Sequence, residues 1–376
     1  MGMRTDINKF MAYKAFKNID GVLFGLIFAV SCISFFILSS SGYDPELPRN
    51  TVFEKQLLYV AISCVIFFVC TFIKPSFWRY WAYFIYLVGC ALLVMVILVG
   101  HEGKGAQRWL DLGHFKIQPS EVMKIGLILA LGRFLSRENA PKKGYGLTDL
   151  ILPGMIVGLP TALIFMQPDL GTALMMIFIS GSMLLFVGIK KKPLLIMLFL
   201  AIVVCGIGWE VALKDYQKDR IVNFMNPESD PRGKGYHAIQ SKIAVGSGGV
   251  FGKGYRQGTQ TQLRYLPEQN TDFIFSVLAE EHGFMASFVL LSLYLLLLFR
   301  IFFIATKADR FSAFVAFGIA MYIFWQAFIN IGMVIGILPV VGITLPLVSY
   351  GGTSVISFYV SLGIISGMAY RRTVFG

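Results

Sequence analysis

About ten predominantly apolar segments of a length suited to crossing a bilayer constrain this chain more than any other feature. They fall near residues 20–41, 55–73, 78–100, 120–136, 147–166, 170–188, 193–210, 272–305, 312–337 and 353–370. A helix needs roughly 20 apolar residues to span the hydrocarbon core. Lipid admits only helices and closed barrels, because every backbone N–H and C=O must find a partner within the protein. Barrel strands alternate apolar with polar residues, whereas these runs are apolar throughout. The expected fold is therefore all-α: a polytopic membrane protein with about ten transmembrane helices. Residues 1–19 read as a cytoplasmic lead-in and 20–376 as a single transmembrane domain. Composition agrees, since only 14% of residues are charged against about 25% in soluble domains.

The net charge of +12 would suggest a nucleic-acid partner in a soluble protein. Here the basic residues follow the spans instead. They cluster in alternate connections: Arg4, Lys9, Lys14 and Lys17; Lys74 and Arg79; Arg133, Arg137, Lys142 and Lys143; Lys190 to Lys192; Arg300, Lys307 and Arg310; Arg371 and Arg372. Short loops rich in Lys and Arg stay in the cytoplasm, so both termini are expected inside, with no nucleic-acid partner. The connections near 42–50, 101–119, 167–169, 211–271 and 338–352 then lie on the outer face. The largest, 211–271, joins spans seven and eight. The five cysteines lie in or beside apolar runs without a CxxC pair and read as packing residues.

Nearly all the unusual chemistry falls in those outer connections. The stretch HEGKGAQRWLDLGHFKIQPSEVMK brings Arg108, Trp109, Gln118, Pro119, Glu121 and Lys124 together. Proline suits the first turn of a helix, and Glu121 and Lys124, three apart, share a helical face. The plainer reading is an interfacial ion pair, but ionisable residues within a span usually face a cavity or partner. Asp169, after Gln167-Pro168, reads as a helix cap. Within 211–271, Ile221, Phe224, Tyr236 and Ile239 argue for short pieces packed on the membrane surface. Gly246, Gly248, Gly249, Gly252 and Gly254 include a GxGxxG fragment, but no strand precedes it, which excludes a dinucleotide fold. Such glycines let backbone N–H groups approach phosphate oxygens, and Lys242, Lys253, Arg256 and Arg264 are near; the alternative is a plain glycine loop with solvated cations.

The polar stretch 240–281 ends in LPEQNTDFIFSVLAEE. A helix starting near Asp272 puts Asp272, Ser276 and Glu280 on one face. Asp272 alone could be a first-turn carboxylate. Glu280 and Glu281, about 12 Å further along, need partners, and Lys124 is the candidate by sign. Downstream, Pro339, Pro346, Gly351 and Gly352 break helices at membrane depth, which is tolerated only where the backbone is buried or lines a cavity. Asn330 in span nine is placed to donate to a neighbouring helix.

Taken in order, GAQRW (105–109), QPSEVMK (118–124), QPDLGTA (167–173), QSKIAVGSGGVFGKG (240–254), LPEQNTDFIFSVLAEE (266–281) and LPLVSYGG (345–352) resemble the motifs of the SEDS family of bacterial membrane proteins. The resemblance covers the chain from about residue 100 to its end. It is closer to the elongation (rod-shape) branch than to the division branch, with Asn270 departing from the family's His. It implies a peptidoglycan glycosyltransferase of the bacterial cell membrane that polymerises lipid II on the outer face, with no nucleotide. It also implies Asp272 as general base on the acceptor hydroxyl. Substrate contacts are expected from Arg108, Gln118, Glu121, Lys124, Gln240, Ser241, Lys242, Ser276 and Glu280. A divalent cation (Mg or Mn) could assist the pyrophosphate. The expected partners are a class B penicillin-binding protein and other elongation-complex membrane proteins. The alternatives are a lipid II flippase or transporter, a non-catalytic scaffold, and a division- or sporulation-type polymerase.

Overall fold

The computed structural model describes residues 19–375, apart from 44–48, 104–105, 112, 114–115, 142–143, 212–214, 227–233, 264 and 267. The lead-in with Arg4, Lys9, Lys14 and Lys17 therefore lies outside the described residues, as do Lys142, Lys143 and Arg264.

Each expected span is a helix. Three open the chain: α1 (Gly21–Ser41), α2 (Thr51–Phe72) and α3 (Pro75–Val99). Then come α4 (Pro119–Leu135), α5 (Ile151–Met166), α6 (Leu170–Val187) and α7 (Lys191–Val211). The long connection contributes three shorter helices, α8 (Asp215–Met225), α9 (Lys234–Ser247) and α10 (Thr259–Gln262). The chain closes with α11 (Ile274–Ala305), α12 (Arg310–Val334) and α13 (Gly352–Phe375). Among the described residues, eight helices are long and apolar enough to cross a membrane. The other two expected spans are α4, only 17 residues long, and α7. The chain is a multi-pass membrane protein.

One small departure from an all-helical chain lies between α3 and α4. Strands β1 (His101–Gly103), β2 (Ala106–Asp111) and β3 (Lys116–Ile117) form an antiparallel sheet in the order β1-β2-β3. Leu110 pairs with Ile117 across β2 and β3.

Side-chain caps start several spans. Asp20 accepts from Leu23 N at 2.9 Å, Asn50 from Phe53 N at 3.0 Å, and Asp309 from Phe311 N at 3.1 Å. Asp20 also pairs with Arg300 at 2.6 Å, so the start of α1 and the last turns of α11 lie on the same side. The short α4 is the central helix: Leu127 to Leu131 are all fully buried. It packs against α3, α6 and α12.

The helix α11 is broken at Gly283 (φ 71°, ψ −165°). Backbone groups released by such a break must be satisfied within the protein, and the glycine-rich loop after α9 satisfies them. Lys253 N donates to Glu280 O at 3.0 Å and Gly254 N to Glu281 O at 2.9 Å. Phe284 N donates to Gly249 O at 2.9 Å and Met285 N to Val250 O at 3.1 Å. This corrects the phosphate-cradle expectation. The N–H groups of 252–254 are taken up by protein carbonyls, and the glycines permit backbone contact. A Cβ on Gly248 would lie 1.9 Å from Ala279 O, and one on Gly252 would lie 2.2 Å from Glu281 O.

This gives a paired test. Gly248→Ala should destabilise by about 3 kcal/mol, as forced overpacking does. Gly246→Ala, two residues earlier and within α9, has nothing within 4 Å of the new Cβ. It should be neutral or stabilise by up to about 1 kcal/mol. Thermal melts of the two purified variants in detergent decide it.

Candidate active site

A line of buried polar side chains runs along α12. Tyr322, Gln326 and Asn330 follow one another at four-residue spacing, so they share a helical face over about 12 Å. At one end, Tyr322 Oη donates to Glu121 Oε2 at 2.8 Å. Glu121 Oε1 accepts from Lys124 Nζ at 2.7 Å, and Lys124 also donates to Gln326 Oε1 at 3.1 Å. Glu121 is 5% exposed and Lys124 2%. Pro119 opens α4 at its first turn, which sets both charges close to the start of that helix. Gln326 Nε2 then reaches Thr344 O and Oγ1, each at 3.1 Å. At the far end, Asn330 Nδ2 donates to Asp272 O at 2.8 Å and Ile343 O at 2.6 Å.

Asp272 sits in the turn just before α11, which begins at Ile274 with Phe273 as its cap residue; the helix starts two residues later than expected. The turn is held by its backbone. Tyr350 N donates to Asn270 O at 2.9 Å, and Ser349 Oγ to Thr271 O at 2.6 Å. Asp272 is partly exposed, and a Cβ added to Gly342 (φ +74°) would lie 3.3 Å from its Oδ2. Glycine at 342 thus serves both the backbone conformation and the approach of the carboxylate.

The irregular segment 335–351 links the remaining groups. Arg108 Nη2 donates to Pro168 O at 2.6 Å, and its Nε lies 3.6 Å from Asp169 Oδ2. Asp169 also caps α6 through Thr172, as the sequence suggests. Gly171, beside it, packs on Val341 O. On the other side, Arg220 Nη1 donates to Val341 O at 3.2 Å. Arg220, Asn223, Lys242 and Gly336 line a cleft there. Lys242 is exposed and makes no ion pair among the described residues, and its stem lies over Gly336.

Several expected contacts fall elsewhere. Glu280 and Glu281 do not meet Lys124, whose charge is taken by Glu121. Glu280 is fully buried and pairs with Lys253 at 2.8 Å. Glu281 accepts from Ser40 Oγ at 2.7 Å. Ser241 and Ser276 are both fully buried and lie 3.1 Å apart. Arg256 donates to Ser39 O and stacks over Tyr43. Gln118 and Gln240 are half-buried, Gln118 at the start of α4 without a side-chain capping bond. Tyr322 and Gln326 are not among the expected site residues, although their spacing to Asn330 carries the signal. No group of three or more His, Cys, Asp or Glu that could hold a metal occurs among the described residues.

The family model for cell cycle proteins of the FtsW, RodA and SpoVE type matches residues 19–373. Over 358 residues, 94% of each chain, the sequence is 40% identical to peptidoglycan glycosyltransferase MrdB of Escherichia coli K12. Over 367 residues, 96% of this chain and 93% of the relative, it is 35% identical to the protein of the same name from Helicobacter pylori strain ATCC 700392 / 26695. Its fold is similar to that of the Thermus thermophilus rod shape determining protein RodA. The TM-score is 0.70 at 29% identity, covering 94% of this chain and 97% of that one. A chain from a peptidoglycan synthase complex that coordinates polymerization and crosslinking gives a TM-score of 0.81 at 32% identity, covering 94% and 98%. The protein belongs to this family, the SEDS family.

Removing one member of a buried ion pair strands the other, at a cost of about 3–5 kcal/mol. Glu121→Gln and Lys124→Met should each destabilise on that scale, and the double variant by less than their sum. Melting curves of the three proteins complete the cycle.

Proposed function

We propose that this protein polymerises lipid II into glycan strands during cell-wall elongation, with Asp272 as the general base. The observation that carries the reading is the placement of Asp272: a partly exposed carboxylate at the end of a buried polar line, its backbone held by Asn330, Ser349 and Tyr350. The acceptor sugar's 4-hydroxyl attacks the anomeric carbon of the donor. Asp272 takes the hydroxyl proton as the new glycosidic bond forms, and undecaprenyl pyrophosphate leaves with the electron pair of the broken bond. A positioned base contributes roughly 10²–10⁴ in rate.

Lys242 and Arg220, flanking the cleft beside the 335–351 segment, supply cationic groups for a pyrophosphate, and Arg108 approaches the same segment from the side of α6. Lys124 and Glu121 act from behind, as a buried pair of opposite charges that fixes the spacing of α4 and α12. The orientation follows from the distribution of Lys and Arg, with both termini in the cytoplasm and Asp272 at the outer face of the bacterial cell membrane. The partner is a class B penicillin-binding protein, a reading supported by similarity to a chain from a polymerising and crosslinking complex. Sequence similarity to MrdB and to the rod shape determining protein RodA favours the elongation branch.

Labelled lipid II incubated with the purified protein and its transpeptidase partner should yield glycan chains on a gel. Asp272→Asn and Asp272→Ala should yield none, while Lys242→Met should raise KM by roughly tenfold, the worth of one charge-assisted contact. Polymer from both Asp272 variants would remove it as base. Lipid II crossing liposomes with no polymer formed would identify a flippase instead.

A further inference from the structure

Glu280 is fully buried, and its carboxylate is surrounded by donors from one short segment. Oε1 accepts from Lys253 Nζ at 2.8 Å, Thr259 Oγ1 at 3.2 Å and Gln260 N at 2.9 Å. Oε2 accepts from Thr261 N at 3.2 Å and Thr261 Oγ1 at 2.9 Å. Gly258 leaves the space, since a Cβ there would lie 2.7 Å from Oε2. An ionised carboxylate only accepts, which matches these converging donors. A glutamine amide would turn an NH2 toward some of them.

The bonds to Thr261 join residues nineteen positions apart in sequence, and the chain between them carries Asp272. One arm of that loop leaves Thr261, and the other returns through the first turns of α11 to Glu280. Within it, Tyr265 N donates to Gln260 O, and Thr271 N and Phe273 N both donate to Glu268 O. The far part of the loop is pinned to Asn330, Ser349 and Tyr350. Its base is pinned by Glu280.

We infer that Glu280 is a positioning residue: it closes the loop that carries Asp272 and so sets where the base stands, without touching substrate. Lys253 supplies the counter-charge that lets the carboxylate remain ionised out of water. This inference rests on Asp272 being the base. A misplacement of about 1 Å at a reacting group can cost on the order of 100-fold in rate, and a loosened loop acts through that sensitivity.

The test uses the full-length protein with its transpeptidase partner, lipid II as substrate, and Asp272→Asn in parallel. Glu280→Gln and Thr261→Val should lower kcat by roughly 10- to 100-fold while KM for lipid II stays within about twofold, the pattern of a lost transition-state interaction. Lys253→Met should behave likewise and Lys253→Arg should recover most of kcat. Amide exchange across 262–273 should quicken in the impaired variants. A raised KM at unchanged kcat would make Glu280 a substrate contact and overturn the inference, as would unchanged kcat in both Glu280→Gln and Thr261→Val. If Asp272→Asn polymerises normally, the reading of the base fails first and this inference with it. If only the Glu280 and Thr261 variants are normal, the base stands and the positioning role alone falls.

Discussion

A helix cannot be broken inside a bilayer unless the protein supplies the hydrogen bonds that water would supply elsewhere. That constraint organises this molecule. The break at Gly283 is filled by the 249–254 loop, and the irregular 335–351 segment is tied down by Asn330, Gln326 and Ser349. Asn330 and Ser349 also bond the turn that carries Asp272, so the side chains that satisfy the irregular segment hold the candidate site as well.

The charges follow a complementary pattern. Glu121 meets Lys124, Asp169 meets Arg108, and Glu280 meets Lys253. Each pair is internal to the protein, which removes the high cost of an unpaired charge away from water. Lys242 stands apart as an exposed cation beside the cleft.

Much of the architecture was legible because lipid leaves so few options. Each apolar run became a helix, and Pro119 and Asp169 marked helix starts as their chemistry requires. Side-chain partners were another matter. Sign alone matched Glu280 with Lys124, yet Lys124 already had Glu121 one turn away, and local pairing wins. The glycines of 246–254 invited a phosphate cradle, whereas Gly248 and Gly252 pack closely on α11; a glycine's spacing does not say whether the thing approached is a ligand or a neighbouring backbone. The break at Gly283 had no visible signal in an apolar run, because the groups that satisfy it come from a separate loop well upstream.

The bonds that hold the Asp272 turn run through carbonyl oxygens of Asn270, Thr271 and Asp272, and any side chain leaves a carbonyl where it was. Position 272 is thus separable: its shape belongs to the backbone and its chemistry to the carboxylate. On the proposed reading of Asp272 as the base, a variant lacking the acid keeps the backbone of the turn, and so offers a way to hold both lipid-linked substrates together before the bond forms.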